Sequence, residues 1–418
     1  MFKSKKGLIR AEIVTVGNEV VSGLIQDTNA RYLSGQLHSL GVDVPRMTSV
    51  GDDESAIVDA IEQALERAEV VVMTGGLGST HDDITKAVLA RMFQSEMVID
   101  QKAVAMLEGL FRKFQREVPL GVRHQCEVPA KAEVLYNEQG TAPGLLFRRD
   151  GKKVYCLPGV PLEMEHLFEK YICPELTSMA SGTIGHRVIK TVGLTEAALW
   201  QRIGPVAPLK RLVTVASLPS CLGVNIRLSF CGETAEDVES RLNRAEALVA
   251  QAVGDCIYGR DDETLEGKVG ELLRKKGWTL AVAESCTGGL VGHRLTQVAG
   301  SSDYFLESVV TYSNEAKKRR LGVDPALIEE YGAVSREVAQ AMATGARRNS
   351  GADIGLGVTG VAGPGASEEK PAGLVFIAVS DTGGSRCKQF RFHQDRIKNK
   401  ERSAQAALDL LRRWLLGL

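Results

Sequence analysis

The 418-residue chain has no uninterrupted run of about 18 apolar residues, which excludes a membrane-spanning helix. It has no excess charge either. Lys and Arg number 51 against 52 Asp and Glu, a formal net charge of −1, so no global field draws the chain to nucleic acid or an anionic bilayer. Aromatic residues are scarce at 5%, too few for a base-stacking platform. None of the eight cysteines forms a Cys-x-x-Cys pair, and no histidine sits near them at zinc spacing. That excludes a zinc-ribbon framework and predicts a reducing, cytoplasmic setting. The basic start, Met1 to Lys6, has no secretory apolar core behind it. No period of 20–50 residues marks a solenoid. No Gly-Lys-Ser/Thr follows a Gly-rich loop, so the Walker phosphate loop is absent.

What is present is an ordinary globular composition, with 44% hydrophobic and 25% charged residues and 43 glycines in several short clusters. The length allows two to four domains at roughly 100–200 residues each. Three segments differ in character: 1–180, 181–259 and 260–418. The first alternates strand and helix, with strands at Ala11–Val16, Val42–Val50 and Glu69–Thr74 and helices at Thr28–Leu40, Glu54–Ala68 and from Asp83. This order predicts a parallel sheet, whose ligands gather at the carboxyl ends of the strands. The middle segment reads as a small α+β module after the linker Ser181–Gly185. Its strands are expected at 187–192, 212–217 and 224–230, with helices at 195–203 and 234–252. The last segment is again α/β, closing on a helix from about Ile397.

Four motifs could carry chemistry. Ala283-Glu284-Ser285-Cys286-Thr287-Gly288-Gly289 falls at a predicted strand-to-helix turn. Free amides at a helix start favour an oxyanion, and an exposed serine there could attack a carbonyl if a base stands nearby. The plainer reading is that Ser285 is a helix cap and the glycines permit tight packing. Tyr312 and Lys317 lie near the carboxyl end of the next strand. A lysine desolvated among strand ends can serve as base for a serine. The plainer reading takes Lys317 as the first of a solvated run, Lys317-Lys318-Arg319-Arg320. Gly357 to Gly365 is a Gly-rich loop that could cradle a phosphate or a sugar. In the first segment, Thr74-Gly75-Gly76-Leu77-Gly78-Ser79-Thr80-His81-Asp82-Asp83 sets paired acids beside glycine amides, a pattern suited to a divalent metal with a phosphorylated ligand. Glu19, Asp52 and Asp53 add acids at neighbouring strand ends. Any one of these aspartates could equally be a helix cap.

Together these segments resemble the CinA family (competence/damage-inducible protein A). AESCTGGLV, GSSDYF, VTYSNEAKKRRLGV, GAVS, VTGVAGP and SEEKPAG are similar, in order, to its C-terminal nicotinamide mononucleotide deamidase domain. GNEVVSG, DTN, VGDD, TGGLGSTHDDIT, GTAPG and PGVPLEM resemble its molybdopterin-binding-like domain. The resemblance implies two α/β sandwich domains joined by a KH-like α+β domain. It implies hydrolysis of nicotinamide mononucleotide to nicotinic acid mononucleotide and ammonia, with Ser285 as nucleophile, Lys317 as base and Tyr312 as relay or orienting group. Substrate would meet Cys286, Thr287, Gly288, Gly289, Asn314, Thr359, Gly360, Gly363, Arg396 and Lys400, and its phosphate could fall to the basic stretch Arg386–Arg402. No cofactor is implied for this domain.

For the first domain the resemblance implies a metal-dependent ADP-ribose pyrophosphatase. Its site would comprise Glu19, Asp52, Gly75, Gly76, Gly78, Thr80, Asp82, Asp83, Gln125 and Gly159, with Mg, Mn or Co held by Asp82 and Asp83. A homodimer is implied, with small nucleotides as ligands and neither membrane nor nucleic acid as partner. The rival reading is a nucleotide- or pterin-binding regulatory protein with one or both sites inactive. The chain departs from the family at Ser79, His124, Ser308 and Lys400, where proline, lysine, glycine and arginine are usual. At Ser308 the expected effect is crowding of the deamidase pocket.

Overall fold

The computed structural model describes residues 9–78, 83–113, 115, 118–179, 183–366, 370–393 and 395–418. The chain divides into two compact units, Met1–Gly185 with Cys231–Glu239, and His186–Phe230 with Ser240–Leu418.

In the first unit β1 (Ala11–Val16) and β3 (Val70–Thr74) are buried along their whole length, as their continuous apolar runs require of central strands. The sheet also contains β2 (Met47–Val50), β4 (Glu133–Leu135), β5 (Gly144–Arg149) and β6 (Lys152–Leu157), in the order β2-β1-β3-β6-β5-β4. The expectation of a parallel sheet needs correction here. β2, β1, β3 and β6 run parallel, but β5 pairs antiparallel with both β6 and β4, because the turn Asp150-Gly151 makes β5 and β6 a hairpin. Side chains alternate between two cores. Ile13, Val70, Val72, Tyr155 and Leu157 face one side; Val14, Val16, Val71, Met73 and Cys156 face the other. The helices α1 (Thr28–Ser39) and α2 (Glu54–Arg67) begin on aspartate caps: Asp27 accepts from the Ala30 amide at 2.8 Å and Asp53 from Ala56 at 3.0 Å. The helix expected from Asp83 is α3 (Thr85–Met92), and the extended stretch 42–50 forms a strand only at its end.

The middle segment contains β7 (Thr183–Thr191), α4 (Glu196–Ile203), α5 (Ala207–Leu212), β8 (Thr214–Ser220), β9 (Gly223–Gly232), α6 (Ala235–Val253) and β10 (Ile257–Arg260). The sheet order is β8-β9-β7-β10. The short helix α5 ends where a strand was expected to start. Pro208 in its first turn is compatible with a helix start, and the periodicity of so short an element is weak.

The last segment includes α7 (Leu265–Lys276), β11 (Leu280–Glu284), α8 (Leu290–Thr296), β12 (Phe305–Val310), α9 (Asn314–Leu321), α10 (Arg336–Ser350), β13 (Ile354–Gly360), β14 (Leu374–Asp381), β15 (Gly384–Arg391) and α11 (Arg396–Leu416). Sheet order is β12-β11-β13-β14-β15; the first three are parallel, and β14 pairs antiparallel with both β13 and β15. One face buries Leu280, Val282, Leu356 and Val358 against Val269, Leu273, Leu408 and Leu411. The other carries Ala281 and Ala283 against Val338, Met342 and Ala346. On that face α10 lies close on β13. A side chain begun at Gly355 would stand 2.0 Å from the Ala343 carbonyl, and one at Gly357 2.5 Å from that of Ala339. The carboxyl ends of β11, β12 and β13 converge on one edge, where Ser285, Thr311 and Thr359 sit. No described helix is long and apolar enough to cross a membrane.

Candidate active site

Ser285 directly follows β11, and its amide donates to the Val358 carbonyl of β13 at 2.9 Å. The chain then makes a tight turn, with Gly288 N–H donating to Ser285 O at 3.1 Å. Gly288 (φ +62°) and Gly289 (φ +94°) are left-handed, which glycine adopts without steric cost. Lys317 comes from α9, whose start is fixed by the Ser313 hydroxyl accepting from the Ala316 amide at 3.1 Å. One turn in, Lys317 points inward and is 1% exposed. The expectation that it belongs to a solvated face fails for this residue, while Arg319 and Arg320 are exposed. Lys317 Nζ donates to Ser285 Oγ at 3.2 Å and to the Thr311 carbonyl at 3.0 Å. Ser285 and Lys317, 32 residues apart in sequence, thus meet as a buried nucleophile–amine pair.

The expectation that the helix-start amides are free for an anion requires correction. The carboxylate of Glu284, fully buried, occupies three of them. One oxygen accepts from Gly289 at 2.9 Å and Val291 at 3.1 Å, the other from Gly292 at 2.9 Å. The amides of Cys286 and Thr287 take no carbonyl or carboxylate acceptor among the described residues, so two donors remain at the turn. Sequence reasoning assigned Glu284 no role. Its only signal was a carboxylate placed immediately before a Gly-rich helix start. Ser308 donates to Glu284 at 2.9 Å and packs beside Gly292, so it bonds the carboxylate where crowding was expected.

The remaining expected residues divide. Burial pushes the Cys286 thiol up to about 12, which removes it as a nucleophile at neutral pH. Thr287 is buried with no hydrogen-bond partner for its hydroxyl among the described residues. The Thr359 hydroxyl donates to the Ala333 carbonyl at 2.8 Å, so it anchors a loop. Tyr312 is 61% exposed, and its hydroxyl accepts from Arg396 Nη2 at 2.9 Å. Arg396 Nη1 also donates to the Gly363 carbonyl. Lys400 Nζ lies 3.6 Å from where a side chain at Gly288 would begin. Asn314 is exposed at the first position of α9. Gly360 ends β13, where a side chain would stand 2.7 Å from the Leu374 carbonyl. Lys388, Lys398 and Arg402 of the basic stretch line a different cleft.

In the first unit Gly75 (φ +108°) and Gly76 (φ +67°) turn the chain at the end of β3. Side chains there would stand 2.1 Å from the Val16 carbonyl and from Thr85 Oγ respectively. One at Gly78 would stand 2.5 Å from Asp83 Oδ2, and one at Gly159 3.6 Å from Gly75 Cα. Asp52 accepts from the Asn18 amide at 2.9 Å, and Glu19 is exposed beside Gly17. Gln125 is buried, and its Oε1 has no hydrogen-bond partner among the described residues. His124 is exposed and lies 3.6 Å from Glu127. Ser79, Thr80 and Asp82 lie outside the described residues. Among those described, no three His, Cys, Asp or Glu side chains form a metal cluster. Two residues not singled out beforehand sit here. Asn29 donates to Gly159 O at 2.8 Å, and buried Lys86 donates to the His124 and Gln125 carbonyls at 3.1 and 3.4 Å. Burial holds the Lys86 ammonium below its ordinary range.

Comparison with known proteins places these sites in a family. Residues 262–415 match the profile described as "CinA C-terminal domain", 12–178 that of "Probable molybdopterin binding domain", and 186–259 that of "Damage-inducible protein CinA KH domain". A CinA-like protein of Salinibacter ruber is 41% identical over 411 residues, covering 97% of this chain and 100% of its own. A CinA-like protein of Chloroherpeton thalassium is 40% identical over 415 residues, covering 97% and 99%. A solved structure of CinA from Thermoplasma acidophilum is 35% identical and covers 41% of this chain and 99% of its own, with a TM-score of 0.38. The chain belongs to the CinA (competence/damage-inducible) family, with a molybdopterin-binding-like domain, a KH-like domain and a CinA C-terminal domain in that order.

Proposed function

We propose that the C-terminal domain is an amidohydrolase that converts nicotinamide mononucleotide to nicotinic acid mononucleotide and ammonia. The observation that carries this reading is the 3.2 Å contact between Lys317 Nζ and Ser285 Oγ in a buried setting. The Lys317 amine takes the Ser285 proton as Oγ attacks the carboxamide carbon. The Cys286 and Thr287 amides, which take no backbone acceptor among the described residues, serve in this reading as donors to the oxyanion. The proton then passes to the amide nitrogen, the C–N bond breaks and ammonia leaves. Water attacks the acyl-serine and gives a proton to Lys317, which passes it to the departing Ser285 Oγ, restoring both groups and releasing the acid. Arg396 and Lys400 supply charge for the phosphate, and the Arg396 bond orients Tyr312 at the mouth. Ser285→Ala should release no ammonia from nicotinamide mononucleotide while keeping its fold. Wild-type turnover in that variant would sink the assignment. Tight binding without turnover in the wild type would instead favour a nucleotide- or pterin-binding regulatory role.

For the first unit we propose a metal-dependent ADP-ribose pyrophosphatase. Asp83, beside Gly78, and the unpartnered Oε1 of buried Gln125 are oxygen donors of the kind that a hard divalent cation such as Mg, Mn or Co takes, most of whose remaining ligands are phosphates and water. Asp82 and Asp83 would hold that ion, which polarises the diphosphate when bound. Phosphate release from ADP-ribose, coupled through a phosphatase and lost with chelator, tests the reading. Full activity in Asp83→Asn would refute it.

A further inference from the structure

Helix α11 presents different faces to two clefts. Arg396, Asn399 and Lys400 look toward Ser285: Asn399 donates to the Ala362 carbonyl at 3.0 Å, and Lys400 approaches Gly288. Lys398, Arg402, Gln405, Asp409 and Arg413 recur at helical spacing on another face. They line a second cleft of about 740 Å³ between the small α+β module and the C-terminal sheet. Neither Ser285, Lys317 nor Thr359 borders it.

The charges in this cleft are unevenly compensated. Asp409 accepts from Arg412 at 2.7 Å and from Arg413 at 3.0 Å. Asp255 pairs with Arg202 at 3.3 Å and Arg413 at 3.5 Å. Glu196 accepts from the Ser217 hydroxyl, and Lys398 pairs with Asp395 at 3.2 Å. Lys388 and Arg402 have no carboxylate partner among the described residues. Each lies over an aromatic ring instead. Lys388 Nζ is 5.3 Å from the Phe390 centroid, and the Arg402 guanidinium is 5.2 Å from that of Phe392. The two rings stack on each other at 5.8 Å. Two uncompensated cations therefore stand on neighbouring rings, in a cleft that Leu222 and Leu410 also line.

We propose that this cleft binds a small organic phosphate, a phosphomonoester of mononucleotide size. Its phosphate would lie on Lys388 and Arg402 and its apolar or planar body against Leu222 and the phenylalanines. The volume falls in the range of about 300–1,000 Å³ usual for small-molecule sites, and the boundary between two modules is a usual place for one. The lining's other cations are already paired, Arg202 and Arg413 with Asp255 and Asp409 and Lys398 with Asp395, so no second cation pair is left for another phosphate, which argues against a nucleic-acid strand.

Cys221 provides a reporter confined to this cleft. It is half-buried, borders the cavity and bonds to Glu401 at 3.2 Å. The full-length protein is alkylated in the presence of AMP, adenosine or inorganic phosphate, and the Cys221 peptide is quantified by mass spectrometry with the Cys173 peptide as reference. AMP at about ten times its Kd should slow Cys221 labelling roughly tenfold, leaving Cys173 unchanged, while adenosine gives no protection. Lys388→Ala/Arg402→Ala should raise the AMP concentration needed by about tenfold or more, and Lys388→Arg/Arg402→Lys should restore protection. Equal labelling with and without AMP, protection by adenosine, or protection unchanged in the alanine variant would each overturn the site. Equal protection by inorganic phosphate would overturn the assignment of an organic body.

Discussion

Replacing Glu284 by glutamine should loosen the Ser285 turn without changing its volume. The carboxylate is fully buried and divides four donors between two oxygens: Gly289 and Val291 on one, Gly292 and the Ser308 hydroxyl on the other. Glutamine has one acceptor oxygen. With that oxygen toward Gly289 and Val291, its NH₂ group faces the Gly292 N–H. Only the Ser308 hydroxyl can rotate to accept. One orphaned amide costs about 1–3 kcal/mol, and each of the two retained bonds loses about 1 kcal/mol with the charge. The expected destabilisation is about 3–5 kcal/mol. Urea unfolding followed by tryptophan fluorescence reads it selectively, because Trp200, Trp278 and Trp414 all lie in the second unit. A midpoint shift without a change in slope gives the difference directly. A Glu284→Gln variant within about 0.5 kcal/mol of wild type would refute the reasoning, since a surface change of no structural weight would do as much.

Other consequences follow from the same geometry. With the Cys286 thiol at about 12, only about one molecule in a thousand is thiolate at pH 9. Alkylation at pH 7–9 that consumes half-buried Cys173 and Cys231 should therefore leave ammonia release intact, and loss of activity with labelled Cys286 would contradict this. Arg396→Ala removes the contacts to Gly363 and Tyr312 and the proposed phosphate charge. It should raise KM for nicotinamide mononucleotide about 10- to 100-fold with kcat little changed, and an unchanged KM would place the phosphate elsewhere. Arg412 is 2% exposed and joins Asp409 to the Asp255 and Ile257 carbonyls. Arg412→Ala should cost about 3–5 kcal/mol in the same urea assay, as expected when one partner of a buried ion pair is removed.

Much of the fold was legible because its signals are local. The apolar runs of β1 and β3 marked central strands, and apolar residues at helical spacing marked Thr28–Leu40 and the helix after Asp53. The run from 283 to 289 showed a strand-to-helix turn because its small residues and glycines serve that turn wherever it occurs. Strand direction was not legible. Whether β14 and β15 continue a parallel sheet depends on how the chain returns, and a side-chain period of two is the same in either direction.

At the site, local sequence carries the chemical types: a serine after a strand, a lysine one turn into a helix, acids and glycines at strand ends. Which of these groups meet is set by the folded chain. It buried Lys317 while leaving the rest of its basic run at the surface, and set its amine on Ser285. It spent three helix-start amides on Glu284, leaving those of Cys286 and Thr287 without a carbonyl or carboxylate among the described residues. It also divided the basic stretch 386–402 between two clefts, because a helix with 3.6 residues per turn points neighbouring cations in different directions. The Glu284 bonds to its helix-start amides span only 5 to 8 positions, but the contacts to Ser308, between Lys317 and Ser285, and from Arg412 to Asp255 join residues 24 to 157 positions apart, which no local pattern records.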